Sequence, residues 1–350
     1  MPAVNVLKAA VILVHYEDYA EQYFAECYQS LIDQDVPRGS FTVFIVNNGS
    51  KEDLSAAVGP IETRFIDQAE NLGWSSGNNA AIKVALEERY DPIIMLNMDT
   101  LLDRHWLKEL LAEADRRPDT QIIQSKILLY DSRRINSAGN RIHFLGYGFC
   151  HGYGREEAPP LPVLEFASGA AMLVKSDVFR KIGLFRENYF IYYDDLEFGW
   201  RARVAGFRIG FAEKSICFHK YVFSTKLKHL VDLECNRLLT MLTLEKPGTL
   251  LLIAPPLLLM QVISGLYLVV SGYWRQELRI CEFFFNKATW RYISATRREI
   301  RALRVKKDRE LIRHFSGRII FSEIKNPVVK WLLNPILWTY WAIVKRFIFW

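Results

Sequence analysis

The sequence predicts an α/β fold, a mostly parallel sheet flanked by helices, followed by a helical C-terminal region. Three observations carry this. Short apolar runs alternate with helical patterns through the first half of the chain, as stacked β-α units do. Polar clusters fall at the carboxyl ends of those runs, where parallel sheets bind ligands. After Lys246 the character changes: a long uncharged run begins, and basic residues follow it.

Taken in order, Ala10 to His15 reads as a buried strand. Ala20, Phe24, Cys27 and Leu31 then recur at helical spacing and predict an amphipathic helix. Phe41 to Val46 is the next strand, ending in the polar turn Asn47-Asn48-Gly49-Ser50. Arg64 to Ile66 is a short strand, and the loop Asn71 to Asn79 opens a helix through Glu88. Ile93 to Leu96 is a central strand whose carboxyl end carries Asn97-Met98-Asp99-Thr100. Gln121 to Tyr130 reads as a further strand, and the glycine-rich stretch 137–154 as a mobile hairpin or lid. Ala170 to Val174 is a strand, Asp177 to Ile182 a helix, and Tyr192 to Arg201 opens a helix that closes at Gly206. No internal repeat of solenoid period is visible.

The 350 residues suffice for one large α/β domain with an appendage, or for two modest domains. An apolar fraction of 50% with 24% charged residues excludes wholesale disorder. Five scattered cysteines without a C-x-x-C pair argue against a disulfide framework or a zinc ribbon, and make a reducing compartment the default. The run Ala9 to Val14 after Lys8 is too short for a signal peptide and fits a first strand better.

The net charge of +6 hides a division. Residues 1–274 hold 28 Lys and Arg against 33 Asp and Glu, a balance of −5, whereas residues 275–350 hold 17 against 6, or +11. Such asymmetry points to an anionic partner, nucleic acid or a membrane face. Thr249 to Trp274 is a run of 26 residues without a formal charge, long enough to cross a bilayer. Pro255-Pro256 interrupts it, so a re-entrant or interface-lying helical pair fits at least as well as one span. Residues 291–313 are rich in Arg and Lys, with Ile300, Leu303, Leu311 and Phe315 on one face. Trp331, Trp338, Trp341 and Trp350 follow among aliphatic residues, with Lys345 and Arg346 near the end. Tryptophan beside basic residues suits a lipid headgroup region, which favours a membrane surface over nucleic acid. Burial of the same surface in a homo-oligomer is the alternative.

Three acidic positions and one histidine stand out. Asp99 ends a buried strand, where a carboxylate is costly unless paired or bound to a cation, although it also suits a helix cap. Asp194 and Asp195 open a helix, where acidic residues also complement the helix dipole. His219 follows an apolar stretch, and a lone histidine there also suits a satisfied core position. All four lie at element ends that a sheet can bring to one rim. A carboxylate and an imidazole with open coordination positions suit Mg²⁺ or Mn²⁺ on a diphosphate, and a second carboxylate can serve as general base.

Over about residues 8–225 the chain resembles glycosyltransferase family 2, with its GT-A fold, in the rhamnosyl- and galactofuranosyltransferase branches. The resemblance rests on Val11-Ile12-Leu13-Val14-His15-Tyr16, Val46-Asn47-Asn48-Gly49-Ser50, Asn71-Leu72-Gly73 with Gly77-Asn78-Asn79, and Leu96-Asn97-Met98-Asp99-Thr100. Ser168-Gly169-Ala170-Ala171-Met172, Gly183-Leu184-Phe185 and Phe190 to Phe198 follow in the family's order. The resemblance implies that Val14, His15, Tyr16, Asn47 and Asn48 hold the nucleobase and ribose, with Gly73 and Asn78 lining the nucleotide pocket. It implies the D-x-D position for Asn97-Met98-Asp99, metal binding by Asp99 and His219, and an acceptor base at Asp195 assisted by Asp194. The chain departs from the family in carrying Asn47 and Asn97 where Asp is usual.

The expected organisation is a GT-A catalytic domain at residues 1–246 and a membrane-associated helical region at 247–350. The expected reaction is inverting transfer of a rhamnose-like deoxyhexose or related hexose from a nucleotide-diphosphate donor. A hydroxyl of a growing glycan, lipid-linked at the cytoplasmic face of the cell membrane, is the expected acceptor, as in cell-envelope polysaccharide synthesis. A polyprenyl-phosphate glycosyltransferase is the alternative within the enzymes, and a non-catalytic membrane or nucleic-acid-binding protein the alternative outside them.

Overall fold

The computed structural model describes residues 8–220, 229–320 and 327–350. Residues 1–7 and the last stretch of the family resemblance, 221–225, lie outside the described residues. The chain forms two compact units. Met1–Asn140, Cys150–Phe190 and Phe207–Phe223 make the first; Arg141–Phe149, Ile191–Gly206 and Ser224–Trp350 make the second.

The first unit begins with β1 (Ala9–His15), α1 (Tyr19–Ile32), β2 (Phe41–Asn48), β3 (Thr63–Gln68) and α2 (Gly73–Glu87). It continues through β4 (Ile93–Leu96), β5 (Thr100–Leu102), α3 (Trp106–Arg116), β6 (Ile122–Leu129) and β7 (Ile135–Ser137). A hairpin of β8 (Asn140–Ile142) and β9 (Gly148–Cys150) has its turn in the second unit. β10 (Ala171–Val174) and α4 (Ser176–Ile182) return to the first; α5 (Asp194–Val204) is part of the second, and β11 (Ile209–His219) closes the first.

Among the described residues nine strands form one sheet in the order β3-β2-β1-β4-β10-β6-β11-β5, with β7 paired to β6. Pairing is parallel from β3 through β4 and between β6 and β11; β10 runs antiparallel to both neighbours. β1 and β4 are buried almost throughout, and their uninterrupted apolar runs are what strands covered on both faces require. Val11, Leu13 and Ile94 pack in one core with Phe24 and Leu31 of α1 and Trp106 of α3.

Two details of this unit differ from the sequence expectation. β2 runs on through Asn47 and Asn48, which by sequence belong to the turn. The helix expected after Asn79 already begins at Gly73, so Asn78 and Asn79 lie within α2. Small polar residues favour turns because they bond to nearby backbone. Here those bonds serve the helix: Asn78 Nδ2 donates to the Trp74 carbonyl (2.9 Å), and Asn79 pairs with both the N–H and the C=O of Phe185.

The second unit is helical. After α5 come α6 (Leu230–Leu244), α7 (Pro247–Val270), α8 (Trp274–Phe285), α9 (Lys287–Leu303), α10 (Asp308–Ile312) and α11 (Asn334–Val344). α6 packs against α8 and α9, and α7 against α8. The turn of the β8/β9 hairpin is not an exposed lid. His143, Phe144 and Leu145 are fully buried, and the Phe144 ring stacks on Trp341 at 4.8 Å. Burial pushes the His143 imidazole down to about 3.

Residues 291–313 do not form one helix: α9 ends at Leu303 and α10 starts at Asp308, and Ile300, Leu311 and Phe315 are buried. The double proline does not divide the uncharged run either, since α7 continues through Pro255 and Pro256 as one helix of 24 residues. A proline in a helix leaves the carbonyl four residues earlier without its partner. For Pro256 that carbonyl belongs to Leu252, and the Tyr340 hydroxyl donates to it at 2.6 Å. A hydrogen bond from α11 thus replaces the one the proline removes.

Candidate active site

β5 and β11 pair antiparallel with Thr100 opposite His219, and the ladder extends one step further through Lys220 N–H to the Asp99 carbonyl (2.9 Å). This register sets the Asp99 and His219 side chains together: His219 Nε2 lies 3.2 Å from Asp99 Oδ1. The other ring nitrogen, Nδ1, faces Asn136 Oδ1 of β7 at 3.3 Å. An amide oxygen only accepts, so Nδ1 donates to Asn136 and Nε2 is the nitrogen turned toward Asp99. The buried Asp99 Oδ1 takes no hydrogen bond of good geometry from the described residues. A proton on Nε2 or a cation between the two side chains satisfies this oxygen.

Burial pushes the Asp99 carboxyl upward, but the contacts with His219 and the Tyr19 hydroxyl outweigh it and hold the group below the usual carboxylate range. Tyr19, at the start of α1, is in turn raised well above an ordinary phenol by burial and by Asp99. Its ring stacks on Tyr16 at 5.0 Å. Asn97 Oδ1 accepts from Trp74 Nε1 (3.1 Å), and Thr100 Oγ1 donates to the Asn97 carbonyl (2.7 Å), which together fix the Asn97-Met98-Asp99 turn. No group of three or more His, Cys, Asp or Glu suited to a metal occurs among the described residues. Asp99 and His219 nevertheless fit a hard divalent cation that takes its remaining ligands from substrate phosphate and water.

A second polar group lies at the carboxyl ends of β1, β2 and β3. Parallel register aligns His15 with Asn47 and Asn47 with Asp67. Asn47 Oδ1 accepts from Ser50 N–H (2.8 Å) and Nδ2 donates to Asp67 Oδ1 (3.2 Å). The departure at Asn47 therefore leaves a carboxylate in the row, one strand over. Burial lowers the pKa of His15 despite the nearby Glu52 and Asp67 carboxylates.

Asn48 is buried and engaged with the next loop: Nδ2 donates to Asn71 Oδ1 and the Gly73 carbonyl, and Oδ1 accepts from Leu72 N–H. Gly73 has φ +86°, and a Cβ there would sit 2.3 Å from the Phe190 carbonyl oxygen, so only glycine fits. Val14 covers Gly77 of α2, and Tyr16 is partly exposed.

Asp194 and Asp195 belong to the second unit, at the start of α5. Asp194 Oδ1 accepts from Asp195 N–H (3.0 Å), and Asp195 Oδ1 accepts from Leu196 N–H (2.7 Å). Asp194 is buried while Asp195 is partly exposed; burial, then the Asp195 charge, pushes Asp194 up to about 8. Two adjacent carboxyl groups thus differ in role, one tending to keep its proton and the other accessible. The preceding Tyr192 and Tyr193 both have positive φ, 64° and 68°. Further along, Glu197 and Arg201 form a buried bidentate pair that locks the helix.

Sequence reasoning missed Tyr19, Trp74, Asn136 and Asp67, which contact the expected site residues, and Asn236, which bonds to the backbone before Asp194. Tyr19 carried the one available signal: it opens the helix right after the polar end of the first strand.

Comparison with known proteins agrees with this reading of the fold. A hexosyltransferase of low-salt glycan biosynthesis from Haloferax volcanii, Agl10, is 26% identical over 204 residues, which cover 57% of this chain and 63% of that relative. The aligned part is thus less than two thirds of the relative's length. The crystal structure of S. aureus TarS 1–349 matches with TM-score 0.51 at 15% identity, covering 97% of this chain and 88% of that one. That of GalNAc-T7, with UDP, GalNAc and Mn²⁺, matches with TM-score 0.55 at 12% identity, covering 69% and 48%. Residues 10–183 match the family described as Glycosyl transferase family 2. With its strand-end motifs and its α/β sheet arranged as in these GT-A structures, the chain belongs to glycosyltransferase family 2.

Proposed function

We propose that this chain transfers a hexose-type sugar, with inversion, from a nucleotide-diphosphate donor to a hydroxyl of a growing glycan carried on a lipid at the cytoplasmic face of a membrane. The observation that carries the reading is the Asp99–His219 pair at 3.2 Å, which strand register sets at the carboxyl ends of the sheet. Asp99 and His219 would hold Mg²⁺ or Mn²⁺, and the bound cation would neutralise the charge developing on the departing diphosphate. Asn136 holds the His219 ring in the tautomer that presents Nε2.

His15, Asn47 and Asp67 offer a row of polar groups to the nucleobase and ribose, and Gly73 lets the backbone approach the nucleotide. Asp195 takes the proton of the attacking hydroxyl, its neighbour Asp194 being raised and so poor as a base at neutral pH. The branch resemblance makes rhamnose-like deoxyhexoses the first candidate sugars. Residues 1–246 form the catalytic domain in this reading, and 247–350 associate with the membrane.

The test is a donor-hydrolysis and transfer assay with a panel of UDP-, dTDP- and GDP-sugars, using Mn²⁺ or Mg²⁺ and a membrane extract as acceptor source. Metal-dependent turnover of one donor class is expected. Absence of turnover with every donor, in both metals, overturns the reading.

A further inference from the structure

α7 is long and apolar enough to cross a bilayer: 24 residues, mean hydropathy 2.0 over its best window. Ile253, Pro256, Met260, Gly265 and Leu268 are buried within the second unit. The opposite side is apolar and open, with Leu251, Leu258, Val262, Leu266 and Val270 at helical spacing and Leu251 and Val270 76% and 86% exposed.

Polar ties hold the buried side at mid-helix. Gln261 Oε1 accepts from Arg237 Nη2 (2.6 Å), and Arg237 is fully buried and paired with Glu234. Gly265 leaves room for the Glu277 carboxylate of α8, which a Cβ would approach to 2.8 Å. Crossing a bilayer would carry this Arg237–Glu234 pair to the centre of the hydrocarbon, or strip it from the helix.

The neighbouring elements carry charge that complements an anionic surface. On α8, Trp274, Leu278 and Phe285 form one exposed apolar line, and Arg275 and Arg279 flank it. Three exposed tryptophans each have a cation over the ring: Arg275 on Trp274, Lys330 on Trp331 and Arg318 on Trp338, at 5.3, 4.9 and 5.5 Å. On α9, Lys287, Arg291, Ser294 and Arg298 share one exposed face with Trp290 beside it. An apolar line bordered by basic residues, with tryptophan under cations, suits the acyl–headgroup boundary.

We propose that α7 is an in-plane anchor: it stays packed on its own unit, inserts its open apolar face into one leaflet of an anionic bilayer, and leaves Arg275, Arg279 and the basic face of α9 on the headgroups. This deepens the membrane part of the proposed function by naming the surface and its lipid, and it rests on that part alone.

The test uses full-length protein with an NBD label on single cysteines introduced at Leu251, Leu258, Val262 and Val270, bound to vesicles of phosphatidylcholine with 30% phosphatidylglycerol. Native Cys150 and Cys281, both exposed, are first replaced by serine. Quenching by lipids carrying nitroxides at two depths reads the position of each label. All four labels should lie at one shallow depth. In a second variant, Arg291→Glu with Arg298→Glu, affinity for the anionic vesicles should fall about tenfold or more, with little change on pure phosphatidylcholine.

A depth profile that passes the bilayer centre between Leu251 and Val270 would mean a span and overturn the proposal. So would failure to bind vesicles together with concentration-dependent dimerisation, which assigns the face to a second copy. Nucleotide-sugar turnover measured on the same preparations in detergent reports on the enzymatic reading separately, so the failure of one is distinguishable from the failure of the other.

Discussion

The two hydrogens of the Asn236 amide go to the consecutive carbonyls of Ile191 and Tyr192, at 3.1 and 3.0 Å. The backbone they hold then passes through Tyr192 and Tyr193 with φ of 64° and 68° before entering α5 at Asp194. Left-handed conformation in two adjacent non-glycine residues costs about 1–3 kcal/mol each and persists only where the surroundings impose it. Asn236 supplies part of that restraint and so sets the direction in which the acidic pair emerges.

Asn236→Ala should therefore lower kcat by about tenfold or more while leaving donor KM nearly unchanged, with about 1–2 kcal/mol lost from stability. Asn236→Gln, which keeps an amide on a longer arm, should recover part of the rate. Steady-state kinetics beside urea unfolding separate the outcomes. A rate loss fully accounted for by unfolding would make the residue merely structural.

Chelation should stop transfer, and Asp99→Ala should lower turnover by about 10²-fold or more without unfolding the protein. The position of Asn136 adds a finer expectation. Asn136→Ala should weaken Mn²⁺ affinity about 10–100-fold, because the His219 ring loses the bond that fixes its tautomer. Manganese binding followed by electron paramagnetic resonance measures both. Full activity in excess EDTA would remove the metal from the account.

Asp195→Asn should abolish transfer to a hydroxyl yet retain donor binding, since the change removes a base and preserves shape. Binding and rate are measured separately. An acceptor that is already ionised, such as a lipid phosphate, needs no base, so a variant with unchanged rate would identify that class of acceptor instead.

The raised pKa of Asp194 has a consequence for stability. Burial and the Asp195 charge push it up to about 8 in the folded protein, so the folded state keeps a proton that the unfolded chain releases near pH 4. The group's contribution is complete below the unfolded pKa and is lost as pH rises through the window from about 4 to 8. Asp194→Asn carries no such charge and can still accept from Asp195 N–H. Its urea midpoint should match the parent near pH 4 and exceed it at pH 9. A difference independent of pH would contradict the assignment.

Much of this was legible in the sequence because burial and periodicity are local signals. The run Ala10 to His15 and the recurrence of Phe24, Cys27 and Leu31 gave their strand and helix to within a few residues. The carboxyl ends of β1, β2 and β4 carry the polar motifs as expected, and Asp99 and His219 lie 3.2 Å apart. What stayed hidden depends on contacts between distant residues. Asn78 and Asn79 look like loop residues until Trp74 and Phe185 take their amides. Pro255-Pro256 looks like a break until Tyr340, 84 positions after Pro256, supplies the missing donor. The glycine-rich hairpin looks mobile until Trp341 covers Phe144. Asp67 could not be tied to Asn47 without the register of β2 on β3.

The central claim is that Asp99 and His219 hold a cation for a nucleotide-diphosphate donor, and a thermal-shift matrix tests it most directly. Full-length protein and His219→Ala are each melted with UDP, dTDP and GDP, alone and with Mn²⁺. At about 100 times its dissociation constant a ligand adds about 2.7 kcal/mol, which for a chain of this length raises Tm by about 4 °C. The account predicts that one nucleotide produces this shift only together with Mn²⁺, and that the shift disappears in His219→Ala while its melting temperature without ligand stays close to the parent's. A shift of equal size without the metal, or in His219→Ala with it, would contradict the claim.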